Sequence, residues 1–205
     1  MDTKAMTPHT KSTGIVGALA GIIGFGIAPF AQAAPSQGQG ANAGFAVISA
    51  TPRTLSEAGS AAADKTATPG LVSADKKTLT FSGKTVRLVA RSGPANDMLS
   101  YRIDGLRSPT LVVPRGATMQ VLFINTDDDM FHNIRFGAWR TSWPADAAPL
   151  MKTSVGTPPL PHGIEASRHA ESLTLRAPLV PGKYAYFCTV RGHAPGGMYG
   201  TIIVR

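Results

Sequence analysis

Residues 183–205 read KYAYFCTVRGHAPGGMYGTIIVR. Lys183 to Cys188 and Tyr199 to Val204 are rich in the aromatic and β-branched residues that suit a pleated surface. Between them Gly192, Pro195, Gly196 and Gly197 mark a loop. Strand, loop, strand is therefore the reading, and the loop carries a thiol, an imidazole and a thioether at the spacing Cys188-x4-His193-x4-Met198. A lone cysteine at a strand end is ordinarily a small buried hydrophobe, and a lone methionine is ordinarily packing. Three different soft or borderline donors on one turn are not explained that way. They suit one copper ion: a dominant thiolate, an imidazole and a weak axial thioether, with a second imidazole from another segment completing a trigonal plane.

Working outward, the same strand texture extends back to Thr78. The runs are TLTFS (78–82), TVRLVA (85–90), LSYRI (99–103), TLVV (110–113), TMQVLFIN (118–125), HNIRF (132–136), SLTLRA (172–177), KYAYFC (183–188) and TIIVR (201–205). Val86, Leu88 and Ala90 alternate with Thr85, Arg87 and Val89, and Met119, Val121 and Phe123 alternate with Gln120, Leu122 and Ile124. About nine short strands separated by turn residues predict an all-β, Greek-key antiparallel β-sandwich. The stretch from Gly137 to Arg168, with five prolines and both tryptophans, Trp139 and Trp143, is expected to cover one end of it.

The remaining histidines supply the second imidazole. His9 lies near the N-terminus, His162 and His169 lie in the Pro-rich cover, and His132 opens HNIRF on a different strand from the Cys-His-Met loop. His132 is therefore the expected partner, and the polar Asn133 beside it is suited to tying the two ligand loops together. Asp127-Asp128-Asp129 just upstream reads as a solvated turn. Met98, Met119 and Met130 read as packing, and Tyr184, Tyr186 and Phe187 as core and edge aromatics.

The N-terminal part differs. Lys4 and Lys11 precede an apolar run from Gly14 to Phe30, followed by Ala31-Gln32-Ala33, the order of a secretory signal peptide over residues 1–33. The run is Gly-rich, contains Pro29 and is short for a spanning helix, although retaining it would leave a membrane-anchored form. Export to a periplasm is the expectation. Residues 34–70, rich in Ala, Ser, Gly, Thr and Pro, read as a linker, with a short helix from about Leu55 to Asp64 started by the capping box Thr54-Leu55-Ser56-Glu57. Residues 71–205 then form the metal-binding domain.

Composition fits that division. The 205 residues are 43% apolar and 16% charged with a single cysteine, which excludes a disulfide framework and a four-thiolate metal site. The formal charge is +8, but the basic residues are scattered and not interleaved with aromatics, so nucleic acid is not the expected partner. An anionic protein surface fits better.

From about Thr78 onward the chain resembles the cupredoxin family, and within it the rusticyanins. The resemblance rests on TFSGKTVRLVA, on PTLVVPRGATMQVLFINT running into His132, and on PGKYAYFCTVRGHAPGGMYGTIIVR. It covers roughly two thirds of the chain. It implies a cupredoxin-like sandwich carrying one type 1 (blue) copper on His132, Cys188, His193 and Met198. At one position the chain departs: rusticyanins carry serine after the first histidine, and Asn133 stands here as in most other cupredoxins. Since the family's high potential is linked to that serine, Asn133→Ser is expected to raise the potential.

The expected role is a monomeric, non-enzymatic carrier of single electrons. Its partners in transient complexes would be a c-type cytochrome or a membrane oxidase with an acidic docking surface. A copper oxidase needs a second copper centre built from further histidines, commonly His-x-His pairs, and none occurs in the sequence. A copper-handling protein without a carrier role is the alternative, though it would favour multi-Cys or Met-rich clusters.

Overall fold

The computed structural model describes residues 43–164 and 166–205. The proposed leader (1–33) and residues 34–42 lie outside the described residues. In chain order the elements are β1 (Ala46–Ser56), α1 (Glu57–Ala63), β2 (Leu71–Val72), β3 (Thr78–Thr80), β4 (Thr85–Ser92), β5 (Tyr101–Ile103), β6 (Leu106–Arg107), β7 (Thr110–Val113), β8 (Thr118–Ile124), β9 (Arg135–Ala138), β10 (Ser154–Gly156), β11 (Ser167–Arg176), β12 (Gly182–Phe187) and β13 (Tyr199–Val204). They form two sheets, ordered β1-β11-β8-β4-β5-β6 and β10-β9-β12-β13-β7-β3-β2.

Period-two alternation explains the sandwich. Met119, Val121 and Phe123 of β8, Val86, Leu88 and Ala90 of β4, and Leu173 and Leu175 of β11 bury one face of the first sheet. Leu79, Leu111, Val113, Phe136, Tyr186, Ile202 and Val204 bury the facing side of the second. Each such side chain contributes roughly 1.5–3 kcal/mol by leaving water. Met119 is fully buried as expected, whereas Met98 and Met130 are only half-buried. Close packing dictates one glycine: Gly200 sits opposite Tyr186 across β12 and β13, and a Cβ there would lie 2.2 Å from the tyrosine ring. The Asp104-Gly105 turn joining β5 and β6 has positive φ at both residues, as a two-residue hairpin requires.

The strands predicted from the sequence are present, but the sheets are mixed rather than purely antiparallel. β3 runs parallel to β7, β4 to β8, and β7 to β13. The connections β3–β4 and β7–β8 both pass from the seven-stranded to the six-stranded sheet. Two crossings in the same sense, lying side by side, make the departing pair and the arriving pair each parallel.

The linker reading is corrected over residues 46–66. β1 pairs with β11 from Ala46↔Arg176 to Ser56↔Ser167, with a bulge at Val47/Ser49. This edge strand is exposed along most of its length, so main-chain hydrogen bonds hold it and no apolar alternation reveals it. The helix is present, but Ser56 rather than Thr54 is its N-cap, accepting from the Gly59 amide at 3.1 Å. Ala63 of α1 packs with Val89, Ile124 and Ala170 on the outer face of the six-stranded sheet.

The long Pro-rich stretch is also relocated. Ala147, Leu150, Trp139 and Trp143 pack on Ala185, Phe187 and Tyr199, which face outward from the seven-stranded sheet. Trp143 stacks 4.6 Å from Phe187 and 5.3 Å from Tyr199. The tryptophans therefore cover a sheet face rather than an end. The buried Arg135 fastens this segment, donating to Ser154 Oγ and to the carbonyls of Met151, Ser154, Gly156 and Thr157. Burial pulls its pKa down to about 10, with Glu171 opposing.

Candidate metal centre

Two loops meet at one end of the sandwich. Cys188 follows β12 directly and Met198 precedes β13, so the pairing Phe187↔Tyr199 sets the two sulfur donors side by side. The Cys188 amide donates to the Met198 carbonyl at 3.1 Å and the Met198 amide to His193 O at 2.9 Å, closing the loop on itself. Gly192 and Gly197 turn the chain at φ +82 and +111, a backbone region costly for residues with a Cβ.

His132 arrives from the other side. It precedes β9 rather than lying in it, and it is held by an isolated bridge to Leu160 with backbone bonds of 3.2 and 2.8 Å. Asn125, at the end of β8, fixes the intervening turn: its amide donates to the carbonyls of Met130, Leu160 and Pro161. Asn133 joins the loops as expected. Its Oδ1 accepts from the Thr189 amide at 2.8 Å and its Nδ2 donates to Thr189 Oγ1 at 2.7 Å.

All four predicted residues converge. Nδ1 of His193 lies 3.2 Å from Nδ1 of His132 and 3.5 Å from Sγ of Cys188, and Sδ of Met198 lies 3.1 Å from Nδ1 of His132. Donors sharing one ion at bonds of ~2.0–2.3 Å stand ~3.3–3.7 Å apart in a tetrahedral array; the observed 3.1–3.5 Å lies at or just under that span, the closeness expected of donors gathered around one ion-sized point. His132, Cys188 and Met198 have no solvent exposure, and His193 has 6%. The spare His162 and His169 are not part of the cluster.

Burial dominates the electrostatics of the donors. Burial lowers His193 to about 4, with the neighbouring His132 adding to the effect. Burial also lowers His132, against the upward pull of Asp127. The Cys188 thiol is pushed up to about 11 by burial, although the backbone N–H groups of Asn133 and Val190 favour its thiolate. To hold a metal as thiolate, Cys188 would give up its proton.

The solvated-turn reading of the aspartates is corrected at Asp127. Asp128 is exposed and pairs with Arg168, and Asp129 is exposed, but Asp127 is only 7% exposed. One of its oxygens accepts from the amides of Asp129 and Met130 at 2.9 and 3.0 Å, and the other stands 3.0 Å from Nε2 of His132. Burial works against its charge, but these amides and the imidazole outweigh it, so the carboxyl lies below its ordinary value. The sequence offered only a weak signal for this, an acidic residue five positions before the histidine.

Comparison with known proteins bears on what ion such a cluster takes. Residues 106–205 match the family described as copper binding proteins, plastocyanin/azurin family. Rusticyanin from Acidithiobacillus ferrooxidans is 36% identical over 132 residues, covering 62% of this chain and 81% of that protein. The chain belongs to the rusticyanin family. Rusticyanin from Acidithiobacillus ferridurans is 35% identical over 140 residues, 66% of this chain and 71% of its own length. Among solved structures, reduced rusticyanin superposes with a TM-score of 0.67 at 29% identity, covering 76% of this chain and 100% of that one. Rusticyanin from Thiobacillus ferrooxidans gives 0.68 at 31% identity, covering 76% and 97%. The fold is thus the cupredoxin sandwich, and the cofactor of this rusticyanin-like site is one type 1 copper, which suits its mixed nitrogen, thiolate and thioether donors.

Proposed function

We propose that the protein is a one-electron carrier of the periplasm, in which Cys188, His132 and His193 would hold copper as the strong ligands and Met198 as the weak one. The observation that carries this reading is the convergence of four buried donors from two loops that are hydrogen-bonded to each other. Copper supplies the redox chemistry by alternating between Cu(I) and Cu(II). The protein supplies rigidity. The Asn133–Thr189 bonds keep His132 and Cys188 in register, and the His132–Leu160 bridge stops the first loop from moving when charge changes. Burial excludes water from Cys188 and Met198 and lowers the local dielectric, which favours the less charged reduced state. His193 is the ligand nearest solvent, so it is the exit for the electron, and Phe131 (48% exposed) and the exposed Pro195 supply apolar surface at this end.

Partners of opposite charge, a c-type cytochrome or a membrane oxidase, fit the +8 chain. No helix among the described residues is long and apolar enough to cross a membrane. On this reading the role is the transfer of single electrons rather than catalysis. The test is a visible spectrum after adding Cu(II), beside Cys188→Ala. A strong thiolate-to-copper band that bleaches reversibly with a one-electron reductant and is missing in the variant supports the reading. A colourless parent protein overturns it.

A further inference from the structure

We propose that Asp127 is the positioning residue of the copper centre, fixing which nitrogen of His132 is free for the metal and holding a negative charge against the far side of that ring. The proposal deepens the carrier reading and rests on it. Three of the four donors are set by the Cys-His-Met loop itself, but the fourth, His132, has only one nitrogen, Nδ1, facing the others. An imidazole ligates through an unprotonated nitrogen, so its single proton must sit on Nε2. Nε2 faces Oδ2 of Asp127 at 3.0 Å, in a place with no solvent to take that role, since the ring is fully buried.

The carboxylate cannot turn away. Its other oxygen is engaged by the Asp129 and Met130 amides, and the backbone of the same residue is pinned at both ends. The Asp127 amide donates to Asn125 Oδ1 at 3.1 Å, and its carbonyl accepts from Gly163 at 2.9 Å. Every group around the carboxyl is thus a donor, which an ionised carboxylate satisfies and an amide does not. A carboxylate behind a ligating imidazole makes the ring a stronger donor and favours the more highly charged metal state.

Asp127→Asn separates this role from turn-building. To keep the two backbone bonds, the amide oxygen must stay toward Asp129 and Met130, so the NH2 group faces Nε2. Donor would then oppose donor, and the relief is a shift of the His132 proton to Nδ1, where the ion belongs. Nitrogen-15 NMR of full-length, copper-free protein reads the tautomer directly. The parent is expected to show His132 protonated on Nε2, and Asp127→Asn to show it protonated on Nδ1. In copper-loaded protein the variant is expected to bind more weakly and to have a higher midpoint potential than the parent.

A parent protonated on Nδ1, or a variant with unchanged tautomer and unchanged potential, overturns the proposal, because turn-building alone predicts no change at His132. The tautomer of the parent stands as a test even where the variant fails to fold. A parent with the expected tautomer but no blue band leaves Asp127 as the residue that sets His132 and removes the carrier reading instead.

Discussion

The two loops that meet at the metal centre are built on opposite plans. Residues 188–198 carry three donors within one turn, use glycines to shape the backbone, and make most of their hydrogen bonds to themselves. Residues 125–133 carry one donor and are held from outside, by Leu160, Pro161, Gly163 and Thr189. One loop concentrates chemistry in sequence, and the other obtains precision from tertiary contact. Chemical failure and structural failure should therefore separate between them.

The largest effect is on the first loop. Cys188→Ala is expected to abolish the visible copper band while lowering the stability of the metal-free protein by only about 1 kcal/mol, since it removes one buried sulfur. Calorimetry beside the spectrum checks the pair, and an unfolded variant would break the contrast. Acid comes next. His193 has a folded pKa of about 4 against an ordinary 6.5, so above pH 6.5 neither state is protonated, and below it the unfolded chain takes the proton first. Metal-free protein should lose stability as pH falls from about 6.5 to 4, by up to about 3 kcal/mol, with His132 shifting in the same direction. Copper-loaded protein should resist, and equal denaturant midpoints at pH 7 and pH 4.5 without metal would contradict this.

Asn133→Ser attacks the seam between the loops. Losing both bonds to Thr189 should cost about 2 kcal/mol in urea unfolding, and the midpoint potential should rise, as the family's serine implies. An unchanged or lower potential would count against that half. Gly192→Ala is the mildest. A Cβ there meets no atom within 4 Å, so only the cost of φ +82 remains, about 1 kcal/mol by thermal melting, with the spectrum preserved.

The contrast also explains what could be read in advance. Cys188, His193 and Met198 were legible because their meaning lies in local spacing, and β4, β8 and β13 because an apolar side chain recurs at every second position along each. β1 was not legible, since an exposed edge strand is held by backbone bonds and places no demand on its side chains. Asp127 was misread for a related reason. An aspartate in a triple-acidic turn has the composition of a solvated loop, and only Gly163 and His132, brought in by the fold, make it a buried partner. Trp139 and Trp143 signalled a cover, but composition does not say which face is covered.

Arg135 fixes one wall of the molecule beside the metal centre's strand. Five hydrogen bonds from one guanidinium stitch residues 151–157 to β9, and the same segment is paired there as β10, so this wall of the molecule does not open as a lid. Among the four ligands only His193 has any exposure, on a loop bounded by Gly192 and Gly197, so that loop is the expected way in for an ion. Copper uptake should then saturate with rising copper concentration, its ceiling set by how often that loop swings aside rather than by how often an ion collides with the surface.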